Sequence, residues 1–338
     1  MYLDHAATTP IAPGVLTAMT DALAGTFGNP ANTSHAAGRA AVDALVDARG
    51  QVASLIGAAP ERVFFTSGAT EANNLAIRGL VERARVARPG HVPVVLVSAI
   101  EHRSVLCPVD ALETRGVIDV RRIPVTGDGV LDLAELDRLL ELDPLLVCVH
   151  LANNEIGTIQ PIRELVARAH ARGTLVLCDA TQAVGKVDVT VEELGIDLLS
   201  LSAHKFHGPK GAGALYVAPG VSVEPQVTGG GQECGLRAGT PNVPAIVGMG
   251  VAAEEAGLAL AAGEGDRVAA LRERLETALL ELAPCAVVNG VAAPRLPGIV
   301  SITFPGSCGG ELVEELRELQ VSRGSACSTG SPKPSHVL

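Results

Sequence analysis

Lysine is scarce in this 338-residue chain. Of its 26 basic residues only four are lysines, at positions 186, 205, 210 and 333. Aromatic residues are scarcer still, with no Trp, two Tyr and five Phe. Positive charge is in deficit, 26 basic against 37 acidic residues, for a net charge of −11. A chain with neither a basic footprint nor stacking platforms is a poor nucleic-acid binder. The longest apolar runs, such as 92–100, fall far short of a bilayer span, which speaks against membrane insertion. Met1-Tyr2-Leu3-Asp4-His5 carries no basic, signal-like start. No CxxC pair occurs among the seven cysteines. That disfavours a disulfide framework or a zinc site and fits a reducing cytoplasm. Neither GxGxxG nor a Walker-type lysine is present, so the two common nucleotide fingerprints fail.

What is present is apolar: 47% hydrophobic and 19% charged residues, which argues against disorder. Two textures alternate. Short β-branched runs at 63–66, 92–100, 145–151, 174–178, 198–202 and 214–217 read as buried parallel strands. Helical spacing fills much of the rest. Val42, Leu45, Val46, Val52, Leu55 and Ile56 form an apolar stripe closed by Gly57, and 162–172 repeats the pattern before Gly173. Such alternation implies crossover connections and an α/β protein with a mostly parallel sheet. After about residue 240 the texture changes. Segment 245–282 reads as one or two long helices broken near Gly263-Glu264-Gly265. Short strands at 286–289 and 298–304 follow, then a helix at 311–319. The expected domains are a large one, 14–244, and a smaller α/β one formed by 1–13 and 245–338.

Ligands of open parallel sheets sit beyond the carboxyl ends of the strands. Those ends carry Ser67-Gly68-Ala69-Thr70, Glu101-His102, Asn153-Asn154-Glu155, Asp179-Ala180-Thr181-Gln182 and Ala203-His204-Lys205. Any one of them reads as an ordinary turn or cap; five on one edge point to an active site. Ser67-Gly68-Ala69-Thr70 before a helix suits a phosphate, with a plain N-cap by Thr70 backed by Asn73 as the competing reading. A phosphate-bearing cofactor that also needs an Asp and a Lys is pyridoxal phosphate (PLP). Of the lysines, Lys333 lies in a Pro/Ser tail, Lys210 in a Gly-Pro turn, and Lys186 is expected to face solvent. Lys205 alone follows a strand, and burial favours Schiff-base chemistry. Asp179 ends an apolar strand, where a carboxylate needs a partner. Cys148 and Cys178 read as inert core residues. Cys327, in Ser325-Ala326-Cys327-Ser328, sits in a small-residue loop and is either an exposed, movable thiol or an incidental one.

These blocks resemble the group I cysteine desulfurases of the nitrogen-fixation and iron–sulfur-assembly type, within the fold type I, class V aminotransferase-like PLP enzymes. The resemblance runs from Tyr2-Leu3-Asp4-His5-Ala6-Ala7-Thr8-Thr9-Pro10 through Ser202-Ala203-His204-Lys205 to Pro334-Ser335-His336-Val337-Leu338. It implies a seven-stranded sheet, Lys205 as the Schiff-base lysine, and Asp179 on the pyridine nitrogen. Gln182 and Asn154 would lie near the cofactor hydroxyl, and His102 would stack on the ring and move protons. Ala69, Thr70, Ser202 and His204 would hold the phosphate. Thr240 would reach the phosphate of a partner subunit, hence a homodimer. L-Cysteine would be converted to L-alanine, with a persulfide on Cys327 passed to an iron–sulfur scaffold or another sulfur acceptor. No resident metal is expected, only transient iron–sulfur contact through Cys327. Two departures stand out. Cys234 replaces an Arg found in many relatives. An Arg that clamps the substrate carboxylate is expected beyond Leu338, as though the small domain were truncated. The alternatives are a selenocysteine lyase and a truncated, catalytically weak docking paralogue.

Overall fold

The computed structural model describes residues 1–324 and 335–338. Along the chain come α1 (Pro13–Gly25), α2 (Ala36–Leu55), β1 (Val63–Thr66), α3 (Ala69–Ala87), β2 (Val94–Ser98) and α4 (Arg103–Thr114). Next are β3 (Asp119–Ile123), α5 (Leu133–Leu140), β4 (Leu146–His150), α6 (Ile162–His170), β5 (Leu175–Asp179), α7 (Val191–Leu194), β6 (Leu198–Ser202) and β7 (Gly213–Val217). The chain then forms α8 (Val243–Ala261), α9 (Glu264–Leu282), β8 (Val287–Val288), β9 (Ile302–Thr303) and α10 (Gly309–Glu315).

Seven strands make one sheet in the order β1-β7-β6-β5-β4-β2-β3. All neighbours are parallel except β7, which runs against both β1 and β6. Central strands β4 and β5 are apolar up to their last residues, His150 and Asp179, because both faces are covered. In β4, Val147 and Val149 enter one core layer while Leu146 and Cys148 enter the other; β5 splits the same way at Val176 and Leu177. Such burial contributes roughly 1.5–3 kcal/mol per large side chain. Edge strand β3 escapes a search for apolar runs. Its Asp-Val-Arg-Arg-Ile sequence buries Val120 and Ile123 and exposes Arg121 and Arg122, which blunts an open edge.

The break at Gly263 is as expected: its φ of 83° ends α8 and begins α9. Helix α8 is long and apolar enough, by composition alone, to cross a membrane. In the fold it is a core helix carrying Glu254 and Glu255, and it packs Val243, Ile246, Met249 and Ala253 into the layer with α1 and α2. At Gly250 the approach to α2 is so close that a Cβ would stand 2.7 Å from Ala48 Cα. Strands β8 and β9 and helix α10 are shorter than their apolar runs suggest. The N-terminal segment joins the far end of the chain, with Leu3 N–H donating to Gln320 O at 3.0 Å.

Antiparallel β7 sets the floor of the site. Gly213 pairs with both Thr66 and Ser202, and a Cβ there would meet Gly68 Cα at 2.5 Å and Leu201 O at 2.7 Å. Both obstacles are backbone, so they cannot rotate away. Gly213→Ala is expected to cost about 1–3 kcal/mol in a urea titration, the usual range for overpacking.

Candidate active site

The strand ends named above converge on one cavity of about 1110 Å³. Its wall includes Ala69 and Thr70, His102, Asn154, Asp179 and Gln182, and Ser202, His204 and Lys205.

Helix α3 starts at Ala69, with Gly68 as its N-cap and no side chain capping the turn. The plain N-cap reading therefore fails: Asn73 turns inward, donating from Nδ2 to Asp179 Oδ2 at 2.9 Å and to Ser104 Oγ at 2.9 Å. The first-turn N–H groups and the positive end of the helix are left facing the cavity, as an anion requires.

Asp179 is the last residue of β5 and only 6% exposed. Asn73 and the Thr181 N–H (3.0 Å) hold its carboxylate, and no ion pair compensates its charge among the described residues. Two neutral donors leave room for a cationic partner.

His102 caps α4. Its Nδ1 accepts from the Ser104 N–H at 3.1 Å and lies 2.8 Å from Ser104 Oγ. The backbone donor commits Nδ1 as an acceptor, which assigns the proton of the neutral ring to Nε2. Burial pushes the ring's pKa below its ordinary value; Lys205 and His150 add to this, and Asp179 and Glu101 oppose it.

The Lys205 amine donates to the carbonyls of Ala6 and Ala7, the latter at 2.9 Å. His204 Nδ1 lies 3.1 Å from Thr8 Oγ1. Burial, with Lys205, Lys210 and Lys186 adding to it, takes the His204 pKa down to about 4, so the ring is neutral at pH 7. Two lysines, Lys205 and Lys210, line the cavity together with Arg323, a concentration of positive charge in a lysine-poor chain.

The whole chain, residues 1–338, matches the family described as Aminotransferase class-V. It is 46% identical to a cysteine desulfurase of Cereibacter sphaeroides, covering 100% of this chain and 86% of that protein. It is 44% identical to the cysteine desulfurase IscS of Anaeromyxobacter sp. (strain Fw109-5), covering 100% of this chain and 83% of that protein. Among solved structures, SspA in complex with cysteine superposes with a TM-score of 0.86 at 35% identity, covering 99% of this chain and 92% of that one. This chain is a class-V aminotransferase family protein.

Members of the class-V aminotransferase family that are cysteine desulfurases depend on PLP. The residues here fit that group: an uncapped glycine-led helix start for a phosphate, a buried carboxylate without an ion pair for a pyridinium, and an amine for a carbonyl carbon.

Thr240 lines a separate hollow of about 220 Å³ with Ser67, Gly211 and Arg237. The loop bearing it is tied down by two ion pairs, Arg237–Glu71 (2.8 Å) and Arg49–Glu233 (2.7 Å). Burial works to raise the Glu71 carboxyl, but Arg237 and the hydrogen bonds from Ser67 together hold the group below its ordinary range. Cys327 lies outside the described residues. The expectation that Lys186 faces solvent is corrected. The turn after β5 folds back, so its amine donates to Gln182 Oε1 at 2.9 Å, and burial, with Lys205 adding to it, lowers its pKa to about 7.

Four polar residues around the cavity carry no motif of their own. Asn73 and Ser104 orient Asp179 and His102. Glu101 Oε1 accepts from both the backbone N–H (2.8 Å) and the ring Nδ1 (2.9 Å) of His150. Burial disfavours the charged His150 ring, yet Glu101 prevails and raises its pKa. The available signal was a polar residue inside an apolar pattern, as with Asn73 between Ala72 and Leu75 and His150 at the end of β4.

Proposed function

We propose that this class-V protein is a PLP-dependent cysteine desulfurase. It would take sulfur from L-cysteine, release L-alanine and pass the sulfur to an acceptor through a persulfide on Cys327. The observation that carries the reading is the convergence of the α3 start, Asp179 and Lys205 on one cavity. The cysteine desulfurases among its relatives and the cysteine-bound structural neighbour support the choice of substrate.

In this reading Ala69, Thr70, Ser202 and His204 hold the phosphate. Asp179 keeps a proton on the ring nitrogen, and Lys205 provides the amine that anchors the cofactor. The bound cofactor supplies an electron sink for charge developing at the substrate's carbons. His102, kept neutral by burial, presents Nε2 as its protonated atom. Lys210 and Arg323 bring positive charge to the wall, suiting an amino-acid carboxylate. The net sulfur step is balanced without a further oxidant. The Cys327 thiolate attacks the substrate sulfur, the new S–S bond forms as the C–S bond breaks, and the departing carbon takes up protons to give alanine. Thr240, outside the cavity of its own chain, suits a role toward the site of a second copy.

The test is alanine formation from L-cysteine by protein reconstituted with PLP, with and without a thiol acceptor. The expected result is a yellow protein that forms alanine and releases equivalent sulfide when the thiol is present. Turnover of selenocysteine alone would turn the assignment toward a lyase. Absence of both PLP binding and alanine would leave the docking paralogue.

A further inference from the structure

Among the residues around the cavity, Lys186 has no part in the chemistry above, yet its amine is withdrawn from water onto a wall residue. The contacts form a chain. Lys186 Nζ donates to Gln182 Oε1 at 2.9 Å, which fixes the amide so that Gln182 Nε2 donates to Ala6 O at 2.8 Å. Ala6 O also accepts from Lys205 Nζ, and Ala7 O accepts from the same amine at 2.9 Å. Ala6, Ala7 and Thr8 are wall residues of the cavity, contributed by a segment with no helix or strand of its own. Among the described residues the Ala6 carbonyl therefore hangs on two donors, Gln182 and Lys205, while Thr8 is held separately by Tyr2 Oη (2.7 Å) and His204 (3.1 Å).

The two donors have different fates. An amine engaged with the carbonyl carbon of a cofactor is no longer an ammonium donating to two backbone oxygens. Once Lys205 is engaged, Gln182 is the donor left on the Ala6 carbonyl among the described residues, and Gln182 keeps its orientation only while its Oε1 is held. We propose that Lys186 is a positioning residue: through Gln182 it holds the Ala6 part of the wall in place after Lys205 has turned to the cofactor. This rests on the reading of Lys205 as the cofactor lysine.

Other charged groups crowd the region without replacing this contact. His5 and Asp4 come from the N-terminal segment; His204, His207 and Lys210 follow β6; Asp179 ends β5 and Glu101 follows β2. Behind the turn, Gly185 abuts Ala256 of α8 and Gly265 of α9 abuts the Lys186 backbone, near Glu254, Glu255, Glu264, Asp266 and Arg267. Gln182 is otherwise bonded to Ala6.

The experiment compares wild type, Lys186→Met and Lys186→Arg, each as apoprotein and as PLP-loaded holoprotein. Hydrogen exchange is read across residues 3–9, and PLP affinity by visible absorbance. In Lys186→Met holoprotein, exchange of this segment is expected to quicken about tenfold and PLP affinity to fall about tenfold, the loss of one hydrogen bond. In apoprotein, where Lys205 still holds both carbonyls, exchange should change less than twofold. Lys186→Arg, which keeps a donor, should restore most of the protection. Equal quickening in both states would mean a general structural role and would overturn the proposal, as would no change in the holoprotein. If wild type captures no PLP through Lys205, the cofactor reading fails and this inference with it. A wild type that captures PLP beside an unchanged Lys186→Met variant would fault the inference alone.

Discussion

Lys205→Ala is expected to give a colourless protein whose alanine formation falls on the order of 10³-fold or more, because the group that anchors and exchanges the cofactor is gone. Among the described residues no other lysine is placed to take over. Lys186 is bound to Gln182, Lys210 sits in an exposed turn, and Lys333 lies outside the described residues. The variant should still fold, since Lys205 is only half-buried and its partners are two backbone carbonyls at the cavity wall. The decisive measurement is borohydride reduction after PLP addition, followed by peptide mass mapping. Wild type should carry the adduct on Lys205, and Lys205→Ala should carry none. An adduct on Lys186 or Lys210 in wild type would reassign the anchoring lysine.

Cys327→Ser should separate colour from turnover. PLP affinity and absorbance are expected to match wild type, and L-cysteine should still perturb the spectrum. Alanine formation should fall on the order of 10²–10³-fold, because a serine hydroxyl is scarcely ionised and a poor nucleophile toward sulfur. The described cysteines offer no substitute. Cys148 and Cys178 are fully buried, and burial pushes their thiols well above the ordinary range. Cys107, Cys234, Cys285 and Cys308 are exposed, and none of these six lines the cavity. Gly324, three residues before Cys327, does line it, beside Glu155. Undiminished alanine formation by Cys327→Ser would show that the substrate sulfur leaves by another route.

Much of this site was legible because parallel strands are apolar throughout and their ends abruptly polar. Asp179, His102, Asn154 and Lys205 each follow such a run, and topology brings those ends to one edge. Strand β3 was not legible, since an edge strand that alternates Val120 with Arg121 has no apolar run to detect. Asn73 was misread as backing for a helix cap. Its spacing from Thr70 fits that role, and only the packed fold reveals Asp179 as its partner. Lys186 was misread for a similar reason: a lysine after a turn is ordinarily solvated, and the return of its amine onto Gln182 is a tertiary event. Thr240, expected to act toward a partner subunit, lines a neighbouring hollow on a loop anchored by Arg49 of α2 and Glu71 of α3.

The site draws on residues separated by almost the whole chain. Ala6 holds Lys205, Leu3 is bonded to Gln320, and His336 Nε2 donates to the carbonyl of Glu101 at 3.0 Å. During synthesis at about 5–20 residues per second, the sheet could form roughly 6–24 seconds before this closure becomes available. A nascent chain would thus present an open-walled cavity with its acidic and cationic groups already in place. Acquisition of colour would then follow the joining of the N-terminal segment to residues 320–336 rather than the folding of the sheet.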